Sequence, residues 1–321
     1  MSQWRAPCAR TSFDTKAYRR SAMPRCFQIV TPCLDSAAFI DDTVASVLSQ
    51  SGDFEIVYHV QDGGSRDGTL ERLEHWQACL ENGNFPILCR GIRMTVDSRM
   101  DNGMYDALNR GFAQLGVDGD SLMGWINASD RLAPGALQTA CDVTAAFPDI
   151  EWLTGRITRL NARGSLVHIE DCFAFPAKTL AAGLHDNRHL PFLQQEGSLW
   201  TGRLWHACGG LDTRLRIAGD FDLWRRFAGR GAPTVVNSVL GQFRHHDRQL
   251  GAGDGYIREL DASFTDAMAA HRAAVWAEYR LLSSPKDLGG LAAHGFTGPV
   301  VQFVESLGVW KRVHRFPFAQ R

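Results

Sequence analysis

The sequence predicts an α/β fold, with a mostly parallel sheet doubly wound by helices on both faces. Three observations predict it. From Arg25 onward short apolar runs alternate with amphipathic segments, and parallel strands need a crossover of that kind between them. Polar residues fall at one recurrent place, directly after the apolar runs: Thr31, Asp62 and the loop from Asn127 to Asp130. The chain has 321 residues, 45% hydrophobic and 21% charged, enough to bury a large core.

CFQIVT, Cys26 to Thr31, reads as a buried strand, and Ile40, Val44, Val47 and Leu48 follow at helical spacing with Ser36 as the expected cap. FEIVYHVQ, Phe54 to Gln61, is the second strand, and Leu70, Leu73, Trp76 and Leu80 mark the second helix. A third strand lies within ILCRGIRMTV, and the third helix carries Met104, Leu108, Phe112 and Leu115. SLMGWI, Ser121 to Ile126, is a fourth strand, followed by a helix from about Pro134 to Phe147. Beyond Glu151 the pattern predicts a hairpin to Ile169 and then a connection to Pro191. Helices near Thr201 to Cys208 and Phe221 to Ala228 come next, before the strand TVVNSV. Tyr256 to about Leu282 reads as one long helix.

From Gly298, residues Val300, Val301, Phe303, Val304 and Leu307 form a helical stripe running toward Trp310 and Val313, with Lys311, Arg312, Arg315 and Arg321 behind it. Such a segment either packs on protein or lies on an anionic membrane surface.

Composition narrows the partners. The 34 Lys and Arg balance 35 Asp and Glu, which leaves no overall field to attract nucleic acid. The basic N-terminus lacks the apolar stretch of a secretory signal, so residues 1–24 are expected to be a flexible leader of a cytoplasmic protein, peripheral to the inner membrane face at most. No uninterrupted apolar run approaches the roughly 20 residues that span a bilayer. The eight cysteines are scattered without a CxxC pair, so disulfides and a zinc site are not expected.

Four stretches could carry chemistry. In QDGGSRDGT, glycines permit close backbone approach to a flat ligand, and Asp62 could accept a hydrogen bond from the imide N–H of uracil, thymine or guanine. A strand-to-helix turn capped by Asp67 or Thr69 accounts for the same residues. In INASDRLAPGAL, Asn127 and Asp130 follow a strand, and one strand-end carboxylate can suffice for a hard divalent cation that takes its other ligands from phosphate and water. A loop residue before a Pro-started helix accounts for Asp130 as well, and spacing alone leans to it. In GDFDLW, Asp220 and Asp222 stand at a helix start, as a general base or as a cap. A helix N-terminus would keep such an Asp ionised near neutrality. In QFRHHDRQLG, His245 and His246 beside Arg244 could hold a metal or a diphosphate, or be a solvated loop.

The order of these stretches resembles family 2 glycosyltransferases of the GT-A fold over roughly Cys26 to Leu250. The correspondence runs through TPCLDSAAFIDDTVASVLSQ, VQDGGSRDGT, DNGMYDALNRGF, INASDRLAPGAL, and QEGSLW with GGLDTRLRIAGDFDLW. The resemblance implies a GT-A nucleotide-binding α/β/α sandwich over residues 25–250, and the residue pattern beyond it predicts a helical C-terminal extension over 251–321. It implies that Thr31, Pro32 and Asp62 line the nucleobase pocket, and that Asp101, Tyr105, Asp106 and Asn109 shape the ribose and sugar side, with Asn127 also on the donor. It assigns Mg²⁺ or Mn²⁺ to Asp130 and His246, and the general base to Asp220. The implied reaction is inverting transfer of a single sugar from a nucleoside-diphosphate sugar, a UDP-sugar by preference. The acceptor would be a saccharide or lipid-linked saccharide, in bacterial-type surface polysaccharide or glycolipid assembly.

The sequence departs from the family pattern in three places. Cys33 to Asp35 replaces the usual tyrosine-asparagine, Ser129 replaces a second aspartate before Asp130, and Arg225, Arg226 and Phe227 follow FDLW where processive synthases carry an arginine-tryptophan signature. The last departure favours single-sugar transfer. Two rival readings are a sugar-nucleotide pyrophosphorylase, for which CFQIVTPCLDSA lacks the Gly-rich basic phosphate loop, and a catalytically silent nucleotide-sugar-binding scaffold, against which Asp130 and Asp220 both stand.

Overall fold

A computed structural model describes residues 26–247, 249, 255–283 and 287–317. The expected leader lies outside the described residues. In chain order the structure runs β1 (Cys26–Cys33), α1 (Ile40–Leu48), β2 (Glu55–Asp62), α2 (Thr69–Glu81), β3 (Gly91–Ser98), α3 (Met104–Leu115), β4 (Leu122–Trp125), β5 (Arg131–Leu132) and α4 (Ala136–Ala146). The second half comprises β6 (Trp152–Leu160), β7 (Leu166–Ile169), α5 (Ala177–Ala181), β8 (Ser198–Thr201), α6 (Gly202–Cys208), α7 (Gly219–Ala228) and β9 (Thr234–Arg244). The chain closes with α8 (Gly255–Ala262), α9 (Asp266–Ser283), α10 (Leu288–Ala293), β10 (Gly298–Val304) and β11 (Val309–Arg315).

The fold is mixed α/β with a mostly parallel central sheet, in the order β11-β10-β9-β6-β8-β4-β1-β2-β3. β1 pairs in parallel with β2 and β4, and β2 in parallel with β3, through the crossovers α1, α2 and α3. β8 enters antiparallel between β4 and β6, and β6 runs parallel to β9. Each face carries its own core. One packs α1, α2 and α4 on the sheet through Ile40, Val44, Val47, Leu73, Leu137 and Val143. The other is rich in tryptophan and packs α3, α6 and α7.

The tryptophans fix α7. Trp224 stacks on Trp125 of β4 at 5.8 Å and on Trp152 of β6 at 5.7 Å, and its indole N–H donates to the Leu193 carbonyl at 3.2 Å. Each aromatic pair contributes about 1 kcal/mol beyond area burial, so the first turn of α7 starts from a rigid seat.

Local chemistry differs from expectation at several ends. Ser36 does not cap α1 with its side chain; its carbonyl accepts from the N–H groups of Phe39 and Ile40, both at 3.0 Å, while its hydroxyl donates to the Leu34 carbonyl. Asp67 does serve the start of α2, accepting from the Thr69 N–H at 3.1 Å. The long helix expected over Tyr256 to Leu282 is broken into α8 and α9.

The C-terminal extension is helical only as far as α10. From Gly298 the expected helix is instead the hairpin β10–β11, antiparallel from Gly298↔Arg315 to Val304↔Val309. β10 joins β9 in parallel at Val300↔Val235 and Val301↔Val236. The physical reason is twofold. β-branched Val300 and Val301 are both fully buried against the sheet, and β9 offers an edge whose backbone groups need partners. The stripe therefore packs on protein through Val300 and Val301, leaving Phe303, Leu307 and Val309 exposed near the hairpin tip.

Candidate active site

The residues expected to take the nucleobase lie where β1, β2 and β3 stop. Their register sets Cys33 opposite Asp62 and Asp62 opposite Ser98. Thr31 is buried and accepts from the Tyr58 hydroxyl at 2.9 Å, with Pro32 one residue on. Asp62 is fully buried and ringed by donors. One oxygen accepts from the N–H groups of Gly64 and Ser65 at 3.1 and 3.0 Å and from the Ser98 hydroxyl at 2.6 Å. The other accepts from the Ser65 hydroxyl and faces the Cys33 thiol at 3.6 Å. Burial alone would raise this carboxyl, but the Ser65 and Ser98 hydroxyls and the two backbone donors outweigh it and hold Asp62 below the usual carboxylate range. It is an ionised acceptor at the ligand edge of the sheet, where open α/β folds bind nucleotides.

The four residues expected on the sugar side are not equivalent. Asp101 accepts from the Gly103 N–H at 2.8 Å, and Asp106 accepts from the Asn102 N–H at 2.9 Å and pairs with Arg110, so both shape the start of α3. Asn109 spends both ends of its amide on Leu211, donating to its carbonyl at 2.8 Å and accepting from its N–H at 3.1 Å. Tyr105 reaches the first turn of α7. Its ring packs on Gly219 so closely that a Cβ there would lie 2.6 Å from it, which is why a glycine opens α7. Its buried hydroxyl has no hydrogen-bond partner.

Three carboxyls come together beyond β4 and β8. Asp130 is 1% exposed and accepts from the Arg244 N–H at 2.8 Å. Its other neighbours are the side chains of Asn127 and Glu196, and burial pushes its carboxyl up to about 7. Glu196 is 3% exposed and is pushed well above the carboxylate range, first by burial and then by the charge of Asp130. Without a cation the pair holds a shared proton, because two buried carboxylates in contact cannot both ionise. Asp220 opens the first turn of α7 and accepts from the Phe221 N–H at 2.8 Å. It was expected to be ionised at neutrality through the helix terminus. Burial instead raises it to about 7, with the charges of Glu196 and Glu259 adding to the effect.

One of these groups escapes a reading of the sequence. Glu196 lies in a quoted motif, yet only β9 brings it to Asp130: a Cβ on Gly241 would come within 2.5 Å of the Glu196 backbone. Arg244, which the sequence offers with His245 and His246 to a metal or a diphosphate, is used differently. Its buried guanidinium donates to the carbonyls of Ser129 at 2.8 Å and Ala162 at 3.1 Å and to Asp42 at 2.6 Å, so it braces the Asp130 loop and is not offered to a ligand. Asp42 also takes Arg131.

The donor set fits a hard cation in part. Buried oxygens of Asn127, Gln195 and Glu196 lack any hydrogen-bond partner, and ionised Asp130 and Glu196 would offer the oxygen ligands that Mg²⁺ or Mn²⁺ takes. Among the described residues, no three His, Cys, Asp or Glu gather closely enough to hold a metal by themselves. The His246 ring lies against the Phe39 ring, their centroids 4.8 Å apart.

The fold has relatives among solved structures. The crystal structure of S. aureus TarS aligns with a TM-score of 0.50 at 15% identity, covering 80% of this chain and 43% of that one. TarS 1-349 in complex with UDP aligns with a TM-score of 0.50, also at 15% identity, covering 79% and 70%. At this identity the likeness shows the GT-A fold alone. The PGL/p-HBAD biosynthesis glycosyltransferases of Mycobacterium bovis (strain BCG / Pasteur 1173P2) and Mycobacterium tuberculosis (strain ATCC 25177 / H37Ra) are 38% identical over 86 residues. That stretch is 26% of this chain and spans only 29% of the length of each relative. The sequence profile described as "Glycosyltransferase like family 2" matches residues 24–252, most of the chain and the whole of the site described above. The chain therefore belongs to the glycosyltransferase 2 family.

Proposed function

We propose that the protein moves a single sugar from a nucleoside-diphosphate sugar to an acceptor hydroxyl, inverting the anomeric centre and depending on a divalent cation. The observation that carries this reading is the contact of buried Asp130 with Glu196, with Asp220 near enough to feel the Glu196 charge, on the sheet edge where β2 ends in Asp62. Asp62 would accept the imide N–H of the base, and a UDP-sugar is the preferred donor, in keeping with the UDP complex of the TarS relative. Asp130 and Glu196 would hold Mg²⁺ or Mn²⁺, which when bound offsets the charge that builds on a leaving diphosphate.

Asp220 acts as the base. Its elevated proton affinity suits a group that accepts a proton as the acceptor hydroxyl loses it, because a base is most effective with a pKa near the working pH. Attack from the face opposite the diphosphate is one displacement, and one displacement inverts. The acceptor hydroxyl's proton passes to the Asp220 carboxylate, its oxygen bonds to the anomeric carbon, and the diphosphate leaves with the bonding pair.

The biological setting proposed is saccharide or lipid-linked saccharide assembly on a cytoplasmic surface. No helix among the described residues is long and apolar enough to cross a membrane, and contact with the inner leaflet would be peripheral. The test is release of nucleoside diphosphate from a panel of sugar nucleotides with and without manganese, with the product anomer read by NMR. Retention of configuration, or no turnover of any donor with saccharide and glycolipid acceptors supplied, overturns the reading.

A further inference from the structure

The family match ends at residue 252, yet the first helix beyond it reaches into the site. α8 carries Glu259, whose carboxylate accepts three successive backbone N–H groups, those of Arg216, Ile217 and Ala218, each at 2.7 Å. Ala218 is the N-cap residue of α7, and Asp220 lies two residues on. Short charge-assisted bonds to three consecutive amides fix the turn far more firmly than neutral contacts would. The turn is also tied to the sugar side, since the Arg216 guanidinium donates to the Asn102 carbonyl.

α8 is itself anchored from the opposite direction. Leu260 is fully buried with Ala218 and Phe221, and Asp261 takes both guanidinium nitrogens of Arg188 at 2.6 and 2.9 Å. Tyr256, one turn before Glu259, buries an unpartnered hydroxyl, the same condition as Tyr105. With Gly219 already touching the Tyr105 ring, a small movement of the 216–218 turn cannot be absorbed without displacing Asp220.

We propose that Glu259 is a positioning residue for Asp220: a carboxylate supplied from outside the matched family region that sets the reach of the base by clamping the turn in front of it. The proposal rests on the base assignment above for its catalytic consequence, but the clamp itself is measurable without any substrate.

Three measurements on the full chain test it, using Glu259→Gln and Glu259→Asp with Arg258→Gln as a control on the exposed side of the same helix. Amide hydrogen exchange should speed up at residues 216–220 in both Glu259 variants, with little change elsewhere and a melting temperature close to wild type. UDP binding should stay within about 2-fold, while kcat with the best UDP-sugar found falls about 10-fold at nearly constant KM, the scale expected when a reacting group is slightly misplaced. Arg258→Gln should match wild type throughout. Should Glu259→Gln fail to fold, the shorter Glu259→Asp carries the test. Unchanged exchange at 216–220, or a kcat equal to wild type in a protein that turns over, overturns the proposal. A wild-type protein that turns over no sugar nucleotide would sink the transferase reading instead, and the exchange result would still decide whether Glu259 holds the turn.

Discussion

Replacing Asp130 with Asn should stabilise the metal-free protein at alkaline pH. Asp130 is 1% exposed and its carboxyl is raised from 3.8 to about 7. A carboxyl with a raised folded pKa imposes no penalty below the unfolded value, where both states hold the proton. As pH climbs from about 4 to 7 the unfolded chain releases its proton first, so stability falls across that window and levels off above it. The gap from 3.8 to about 7 corresponds to about 4 kcal/mol at roughly 1.4 kcal/mol per pH unit.

The Asn variant escapes this loss and presents an amide N–H to Glu196. It gives up only the ionised half of the bond from the Arg244 N–H, about 1–2 kcal/mol. A net gain of about 2–3 kcal/mol is expected at pH 8, or about 4–10 °C in melting temperature for a chain of this size. The assay is thermal unfolding in EDTA from pH 4.5 to 8, then with manganese, which should raise the wild type and leave the variant unmoved. A variant that melts at or below wild type at pH 8, with a gap that does not widen with pH, refutes the buried-pair argument.

Asp220→Asn should lower the transfer rate by about 10²-fold or more while UDP still binds, whereas Asp222→Asn, which pairs with Arg226 at 2.8 Å, should cost mainly stability. In the wild type the rate should fall on the acid side with a midpoint near 7 as Asp220 takes up a proton, and a pH-independent rate from 5 to 8 would exclude it as the base. Arg244→Met removes a donor from the carbonyls of Ser129 and Ala162 and one of the two guanidinium partners of Asp42, which keeps Arg131; chemical unfolding should show a loss of about 2–3 kcal/mol. If the hairpin tip meets an anionic leaflet, the protein should co-sediment with anionic vesicles at low salt, release at high salt, and lose binding on Leu307→Glu; no sedimentation at low salt rules that contact out.

What the sequence determines by itself is local. The strand runs from Cys26 to Ile126, the helices between them and the polar residues at their ends follow from periodicity and turn chemistry, which act over a few neighbouring residues. That is enough to put Thr31, Asp62 and Asp130 at one sheet edge and Asp220 at a helix start. Only the tertiary structure joins groups far apart in the chain. Arg244 meets Asp130 across 114 residues, and Glu259 meets Ala218 across 41. Neither pairing leaves any spacing to read. The spacing of Val300, Val301, Phe303, Val304 and Leu307 suits a helical stripe, and the open edge of β9 chose the strand. The state of Asp220 reversed for a related reason. A helix terminus acts through the nearest turn and lowers a carboxyl, but burial beside Glu196 and Glu259 acts through everything packed around it, and desolvation at that depth is the larger effect.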